Sequence, residues 1–184
     1  MIINENVFCE FPAIQTDKLT LRKILQEDAK DIYSVYSDPE AMKYFGKHPM
    51  ESISAAAEMV DTVTKAFSDH EGLRWGICFR NSDELIGTAG IWRIDKRHCR
   101  GEIGYELKRE YWGKGIMTDA LKAIVVFGFN ELNLHTIEAN TDPLNTASMK
   151  LLEKLGFIKE GYLKESYFFD GKFYDNVIYS IVRK

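Results

Sequence analysis

Gly113, Lys114 and Gly115 stand in the stretch YWGKGIMTDALKAIVVFGF, Tyr111 to Phe129, and their types and spacing suit an anion-binding loop. The loop joins a strand-like run ending near Lys108 to a helical pattern beginning near Ile116. The first amides of a helix have no partner inside it, and the macrodipole adds partial positive charge there. Glycines let the backbone curl and let a bulky anion come close. A phosphate or pyrophosphate fits such a loop. Lys108, Arg109 and Lys114, on a chain of net charge −4, favour that reading over a plain tight turn.

Two familiar phosphate loops do not match. A Walker A loop needs G-x-x-x-x-G-K-[ST], but Lys108 stands where its first glycine belongs and Gly115 follows the lysine. A Rossmann fingerprint needs G-x-G-x-x-G, and GKGIMT ends in Thr118. The chain also lacks the further βαβ units of a dinucleotide site, which leaves that motif a weak rival.

The elements that must position the loop can be read from periodicity. DKLTLRKIL alternates as a strand, and QEDAKDIYSVYSD carries Ala29, Ile32, Tyr33 and Tyr36 at helical spacing, with Asp38-Pro39 as punctuation. A second amphipathic helix puts Ile53, Ala56, Ala57, Val60, Val63 and Phe67 on one face. Three strand-like runs follow, Leu73 to Arg80, Glu84 to Ile94 and Cys99 to Lys108, and their short polar connectors predict antiparallel pairing. After the glycine loop come a helix, a short strand (Leu134 to Thr141) and a helix that Gly156 ends as a left-handed cap. A hairpin with an Asp170-Gly171 turn closes the chain. The pattern predicts a single α/β domain over 1–184, with a mixed, mostly antiparallel central sheet flanked by helices.

Composition narrows the function. The chain has 184 residues, 45% hydrophobic and 28% charged, an ordinary globular mixture. Its acidic balance argues against a nucleic-acid binder. No run approaches 18 apolar residues, so no membrane span is expected. Three widely spaced cysteines and four histidines show no metal spacing, which predicts a metal-free cytoplasmic protein with reduced thiols. Trp75 and Trp92 read as core residues of strands.

The stretch YELKREYWGKGIMTDAL resembles the pyrophosphate-loop signature Q/R-x-x-G-x-G/A of the GNAT acetyltransferases, with its strand before and helix after. NTDPLNTASMKLLEKLGFIKEG resembles the strand and helix that follow in that family, with the N-x-x-S and K-L-G-F elements in place. The N-terminal DKLTLRKILQEDAKDIYSVYSDPEAMKYFG and the closing YFFDGKFYDNVIYSIV resemble the branch holding ribosomal-protein N-terminal alanine acetyltransferases. The likeness runs through nearly the whole chain in order. Glu110 departs from it, since an acidic side chain stands at the Q/R position and more of the pyrophosphate binding then falls to backbone amides.

The resemblance implies acetyl-CoA as co-substrate and an amine as acceptor, joined in a ternary complex without a covalent enzyme intermediate. It implies that the Gly113–Thr118 stretch (Gly113, Lys114, Gly115, Ile116, Met117 and Thr118) holds pyrophosphate. Tyr105 and Leu107 would pair through their backbones with the pantetheine arm. Asn145 would hydrogen-bond that arm and Ser148 lie near the thiol, although either Asp142 or Asn145 also suits a plain N-cap. Lys150 and Lys154 read as a solvated face. Glu102 is the implied general base, with an exposed strand carboxylate as the competing reading. Glu106, two residues on, faces the same side, and the two carboxylates together would suit a cationic substrate. Tyr167, Tyr174 and Asp175 lie in the hairpin that borders the acceptor in the family, with Tyr167 as a candidate acid toward the leaving thiolate.

An α-amine loses its proton at pH 7 for roughly 1–1.4 kcal/mol, a lysine-type amine for roughly 4.6 kcal/mol. With one candidate base, a protein N-terminal α-amine is the easier acceptor. A polyamine, amino sugar or antibiotic amine is the alternative, as is a non-catalytic acyl-CoA-binding module. A monomer and a weak homodimer fit equally.

Overall fold

The structure is a computed structural model and describes residues 2–184. One eight-stranded sheet organises it, in the order β1-β2-β3-β4-β5-β6-β8-β7. The strands are β1 (Ile14–Gln15), β2 (Leu19–Lys23), β3 (Leu73–Phe79) and β4 (Gly87–Asp95), then β5 (Arg100–Leu107), β6 (Thr136–Thr141), β7 (Ile158–Phe169) and β8 (Lys172–Val182). Every neighbouring pair is antiparallel except β5 and β6. That parallel pair brackets the crossover helix α4 (Ile116–Asn130), as a parallel connection requires. The helices α1 (Ala29–Tyr36), α2 (Pro39–Met42) and α3 (Ile53–Ser68) lie between β2 and β3 in the chain, and α5 (Thr146–Lys154) lies between β6 and β7.

Alternation along the central strands splits the core in two. Trp75 and Ile77 of β3, Ala89 and Ile91 of β4, and Ile103 and Leu107 of β5 share one cluster with α4. Met149, Leu151 and Leu152 of α5 join the same side. On the other face α1 and α3 contribute Ile32, Val35, Ala56 and Val60, closed by Ile24, Cys78 and Leu85. Both faces of the sheet are therefore covered. The even-numbered residues of β5 point toward α1, and the odd-numbered ones toward α4 and α5.

Three local expectations need adjustment. Asp38-Pro39 is more than punctuation: the Asp38 carboxylate accepts from the Glu40 amide at 2.9 Å, and Pro39 opens the short α2. The two-residue β1 is too short to show alternation in sequence. Trp75 is fully buried and donates its Nε1–H to the Pro12 carbonyl at 2.6 Å. Trp92, expected in the core, is 44% exposed, and the Arg93 guanidinium lies 4.7 Å from its ring centroid.

Candidate active site

β5 and β6 pair only where Arg100–Glu102 lie opposite Thr136–Glu138. Beyond that point β6 continues along β8 as far as Thr141, and the outer edge of β5 has no strand partner among the described residues. The register shows which groups lie on that edge. Lys108 donates its amide to the Ile86 carbonyl on the β4 side at 2.9 Å. In an antiparallel ladder alternate residues bond to the same neighbour, so Glu106 and Gly104 turn their backbones to β4. Tyr105 and Leu107 turn theirs to the open edge. Their side chains still pack with the α4 core, and the Leu107 carbonyl already accepts from Nε1 of Trp112 at 2.8 Å, which leaves its N–H and the Tyr105 backbone facing the edge.

Directly after β5 the chain makes a short turn over Arg109–Tyr111 and enters the glycine loop. Gly113 has φ 71° and Gly115 φ 78°, both left-handed, and a Cβ on either would meet open space. Glycine is here because of backbone conformation, not crowding. Gly115 is the N-cap residue of α4, and it contributes no side-chain cap. The amides of Ile116, Met117 and Thr118 precede the first intrahelical bond, which Asp119 makes to the Gly115 carbonyl at 3.1 Å.

The basic residues of this loop do not act as a group. Lys108 is bound to Glu84 at 2.8 Å and Asp31 at 3.2 Å, and Arg109 to Asp38 at 3.2 Å. Lys114 is on the loop surface, its Nζ 5.4 Å from the Tyr111 ring centroid. The basic cluster read from the sequence is thus divided, and two of its three cations bind the α1–α2 segment and the β3–β4 connector. Glu110 lies exposed and away from the cavity wall.

Across the opening of the sheet, Asn145 caps α5 with its side-chain oxygen accepting from the Ser148 amide at 3.1 Å. Asp142 instead holds the preceding turn, accepting from Leu144 at 2.7 Å. Among the described residues the Asn145 side-chain NH2 has no hydrogen-bond partner beside this cap. The Ser148 and Tyr105 hydroxyls are 2.8 Å apart, joining α5 to β5. Burial pushes the Tyr105 phenol up to about 12 against the opposing bond to Ser148, so it stays neutral across the physiological range.

These pieces enclose a cavity of about 540 Å3. The β5 edge supplies Tyr105 and Leu107, and the loop and α4 supply Gly113, Gly115, Ile116, Met117 and Thr118. Asn145 and Ser148 come from α5. Lys114 alone of the expected coenzyme-binding residues is not part of the wall. Lys150 and Lys154, read as a plain solvated face, are part of it.

The cavity is also lined by Glu40, Lys43, Tyr44 and Phe45 together with Glu106. Glu106 has a side chain 5% exposed. Its Oε2 accepts from the Tyr36 hydroxyl at 2.5 Å, from the Thr88 hydroxyl at 3.2 Å and from Nη2 of Arg74. Arg74 also donates to Thr88 and to Tyr36, each at 3.0 Å. Burial opposes the Arg74 charge, but the Glu106 carboxylate and Tyr36 outweigh it and raise its pKa further. Burial likewise raises the Tyr36 phenol well above its ordinary value. The four side chains come from α1, β3, β4 and β5.

The other two expected catalytic residues lie off this wall. Glu102 sits four residues back on β5 and binds Arg93 at 3.1 Å, where β4 bulges and Arg93 adopts φ 49°. Tyr167 donates to the Gly46 carbonyl, which ties the β7–β8 hairpin over the loop after α2. Phe169 and His48 add a ring contact at 4.8 Å. The hairpin therefore roofs the segment that carries Tyr44 and Phe45 but puts no side chain on the cavity wall. Tyr174 faces Tyr167 in the hairpin register, and Asp175 is bound to Tyr162 and the Glu165 amide.

Residues 18–158 match the family model described as acetyltransferase (GNAT) domain. The chain is 40% identical to the uncharacterized N-acetyltransferase YoaA of Bacillus subtilis, over 94% of its own length and 98% of that protein. The chain belongs to the GNAT acetyltransferases. Among solved structures, spermidine N-acetyltransferase from Vibrio cholerae with CoA and spermine is 26% identical, with TM-score 0.79 and coverage of 91% of this chain and 96% of that one. RimL, a ribosomal L7/L12 alpha-N-protein acetyltransferase with coenzyme A, is 19% identical at TM-score 0.84, covering 93% and 98%, and shares the fold.

As a GNAT member the protein is an N-acetyltransferase with acetyl-CoA as its co-substrate. Among the described residues no cluster of His, Cys, Asp and Glu could hold a metal ion, and no helix is long and apolar enough to cross a membrane. The sequence reading did not single out Tyr36, Arg74 or Thr88. Only Glu106 carried a signal, as a second carboxylate on the face of β5 that bears Glu102. Nothing local marks the other three, because their meeting depends on sheet register.

Proposed function

We propose that this GNAT enzyme acetylates the α-amine of a peptide or protein N-terminus, in the cytoplasm, as a one-domain monomer or weak homodimer. The observation that carries the reading is the charge balance at the acceptor end. Each carboxylate there has a cation beside it, Arg74 on Glu106 and Lys43 at 4.0 Å from Glu40. A polyamine carries several positive charges and calls for surplus carboxylates. A single amine does not. The α-amine is also the one that gives up its proton at pH 7 for only about 1–1.4 kcal/mol.

In this reading acetyl-CoA lies along the cavity. The amides at the start of α4, freed by the left-handed glycines, take the pyrophosphate. The Tyr105 and Leu107 backbones and the Asn145 side-chain NH2 take the pantetheine, and Lys150 and Lys154 meet the remaining phosphate charge. A backbone N–H on the open edge of β5 polarises the acetyl carbonyl.

The amine, having shed one proton to water, forms the new C–N bond. The C–S bond breaks, and sulfur leaves with its electron pair. The nitrogen loses a second proton as it becomes an amide. Ser148, held by Tyr105, relays a proton to the sulfur. One proton is released overall. Glu102 and Tyr167 take part in this scheme only through the acceptor's approach.

The test is thiol release from acetyl-CoA with alanine- and serine-starting peptides, spermidine, glucosamine and an aminoglycoside. Turnover confined to the peptides is the expected result. Turnover confined to spermidine would overturn the acceptor while leaving the family untouched.

A further inference from the structure

We propose that Glu106 receives the acceptor's amine through its Oε1, with Tyr36, Arg74 and Thr88 as the positioning residues that fix it. The proposal rests on the reading of the wall formed by Glu40, Lys43, Tyr44, Phe45 and Glu106 as the acceptor site, and it names what selects a charged amine there.

The arrangement on the carboxylate is lopsided. All three hydrogen bonds fall on Oε2. Among the described residues no buried side-chain nitrogen or oxygen lacks a partner, so Oε1, which takes none of these bonds, keeps open surface. Glu106 lines the 540 Å3 cavity, and the proposal places that open surface on it. Here one oxygen is saturated and the other is presented.

The presentation is also rigid. Thr88 is fully buried and Tyr36 nearly so, and Arg74 reaches Glu106, Thr88 and Tyr36 together. Burying an ion pair rarely gains stability over apolar packing. A buried charge pair on a cavity wall is instead the usual mark of a working site. The other carboxylates nearby are less suited. Glu102 is engaged by Arg93 off the wall, and Glu40 is 58% exposed at the rim.

Neighbouring residues of one strand thus serve the two substrates. Tyr105 and Leu107 offer backbone groups on the open edge to the donor. Glu106, between them, offers its side chain on the opposite face to the acceptor. An ammonium or amine on Oε1 donates one N–H to it. The groups facing Glu106 are Tyr36 from α1, Arg74 from β3 and Thr88 from β4, with Glu40, Lys43 and Tyr44 on the same cavity wall. A neutral acceptor leaves Oε1 without a donor, and a side chain that cannot carry charge at 106 loses the preference for an amine.

The first measurement uses the unaltered enzyme. An alanine-starting peptide is compared, as a ligand of the enzyme–CoA complex, with the same peptide carrying a propionyl group in place of its alanine. The amine form is expected to bind at least tenfold more tightly. Equal binding would overturn the proposal.

In Glu106→Gln that difference is expected to vanish, and kcat/KM for the amine to fall about 100-fold. Acetyl-CoA affinity should stay within about twofold. Should Gln at 106 unfold the protein, Tyr36→Phe, which removes one bond to Oε2, is expected to raise the KM for the amine several-fold and leave coenzyme affinity unchanged. A Tyr36→Phe enzyme with the normal KM, or a Glu106→Gln enzyme that keeps the amine preference, would overturn it. If spermidine proves the acceptor, the same comparison is made with spermidine and its counterpart carrying hydroxyl for the acetylated amine. The α-amine reading then falls, and the role of Glu106 is still decided.

Discussion

The two ends of the cavity are built by opposite means. At the coenzyme end, one continuous stretch from Tyr105 to Thr118 supplies strand edge, loop and helix start. On the proposed reading its binding groups are mostly backbone amides. At the acceptor end, Tyr36, Arg74, Thr88 and Glu106 arrive from four elements, and the binding groups are side chains. A backbone site needs only local conformation, and it tolerates side-chain change. A side-chain site needs the whole sheet to be in register. The first suits a donor common to a family, and the second suits an acceptor that differs among its members.

The comparison breaks most sharply on β5 itself, where Glu102 and Glu106 share a face. If the acceptor end is a side-chain site centred on Glu106, Glu106→Gln lowers kcat/KM for the amine about 100-fold and Glu102→Gln lowers it much less. Steady-state kinetics on both variants, with acetyl-CoA affinity measured alongside, decides between them. The reverse ranking would return Glu102 to the role of base and leave the Arg74–Glu106 pair as a structural tie.

The same contrast explains what could be read beforehand. The glycine loop was legible because φ above zero favours glycine at 113 and 115, and helix starts attract anions wherever they occur. The central strands, α4 and the Asp170-Gly171 hairpin followed from period and turn chemistry. The short α2 was masked because Asp-Pro reads as a break when it is also a cap with proline at the first position. Lys108 and Arg109 looked like phosphate ligands because sequence shows charge but not its partners. Asp31, Asp38 and Glu84 are 77, 71 and 24 residues removed, and only the folded chain brings them in. Tyr36, Arg74 and Thr88 were silent for the same reason.

A backbone site should respond to conformation before it responds to chemistry. Gly115→Val puts a β-branched residue at φ 78° with free space around its Cβ, so the damage comes from the dihedral alone. Forcing an L-residue into that region costs roughly 1–2 kcal/mol, which corresponds to about a 5- to 30-fold loss of acetyl-CoA affinity if the loop relaxes to avoid it. The KM for the amine should not change. Calorimetric titration with acetyl-CoA measures the first and initial rates the second. Equal losses for both substrates would mean the two ends are not separable.

Asn145 tests whether one side chain holds both a structural and a ligand task. Asn145→Ala removes the cap on α5 and should cost about 1 kcal/mol of stability, seen as a lower Tm. Asn145→Asp keeps an oxygen for the Ser148 amide and loses the NH2. It should therefore retain the Tm while weakening acetyl-CoA binding about fivefold, near the worth of one hydrogen bond. A fall in Tm for Asn145→Ala alone, with affinity unchanged in both variants, would confine Asn145 to capping.

The smallest effect expected is at Lys150 and Lys154, exposed residues one turn apart on the cavity wall. Exposed charges act through screened attraction worth roughly 0–1 kcal/mol each, so Lys150→Ala and Lys154→Ala should each weaken coenzyme A binding about two- to threefold. Two features separate this from a generic surface effect. The loss should shrink as salt rises from 50 to 500 mM, since the Debye length falls from roughly 14 Å toward about 4 Å. It should also be smaller for dephospho-coenzyme A, which lacks the 3′-phosphate, than for coenzyme A. A loss equal for both ligands would move these lysines to the pyrophosphate and so extend the side-chain contribution into the end of the cavity that otherwise works through its backbone.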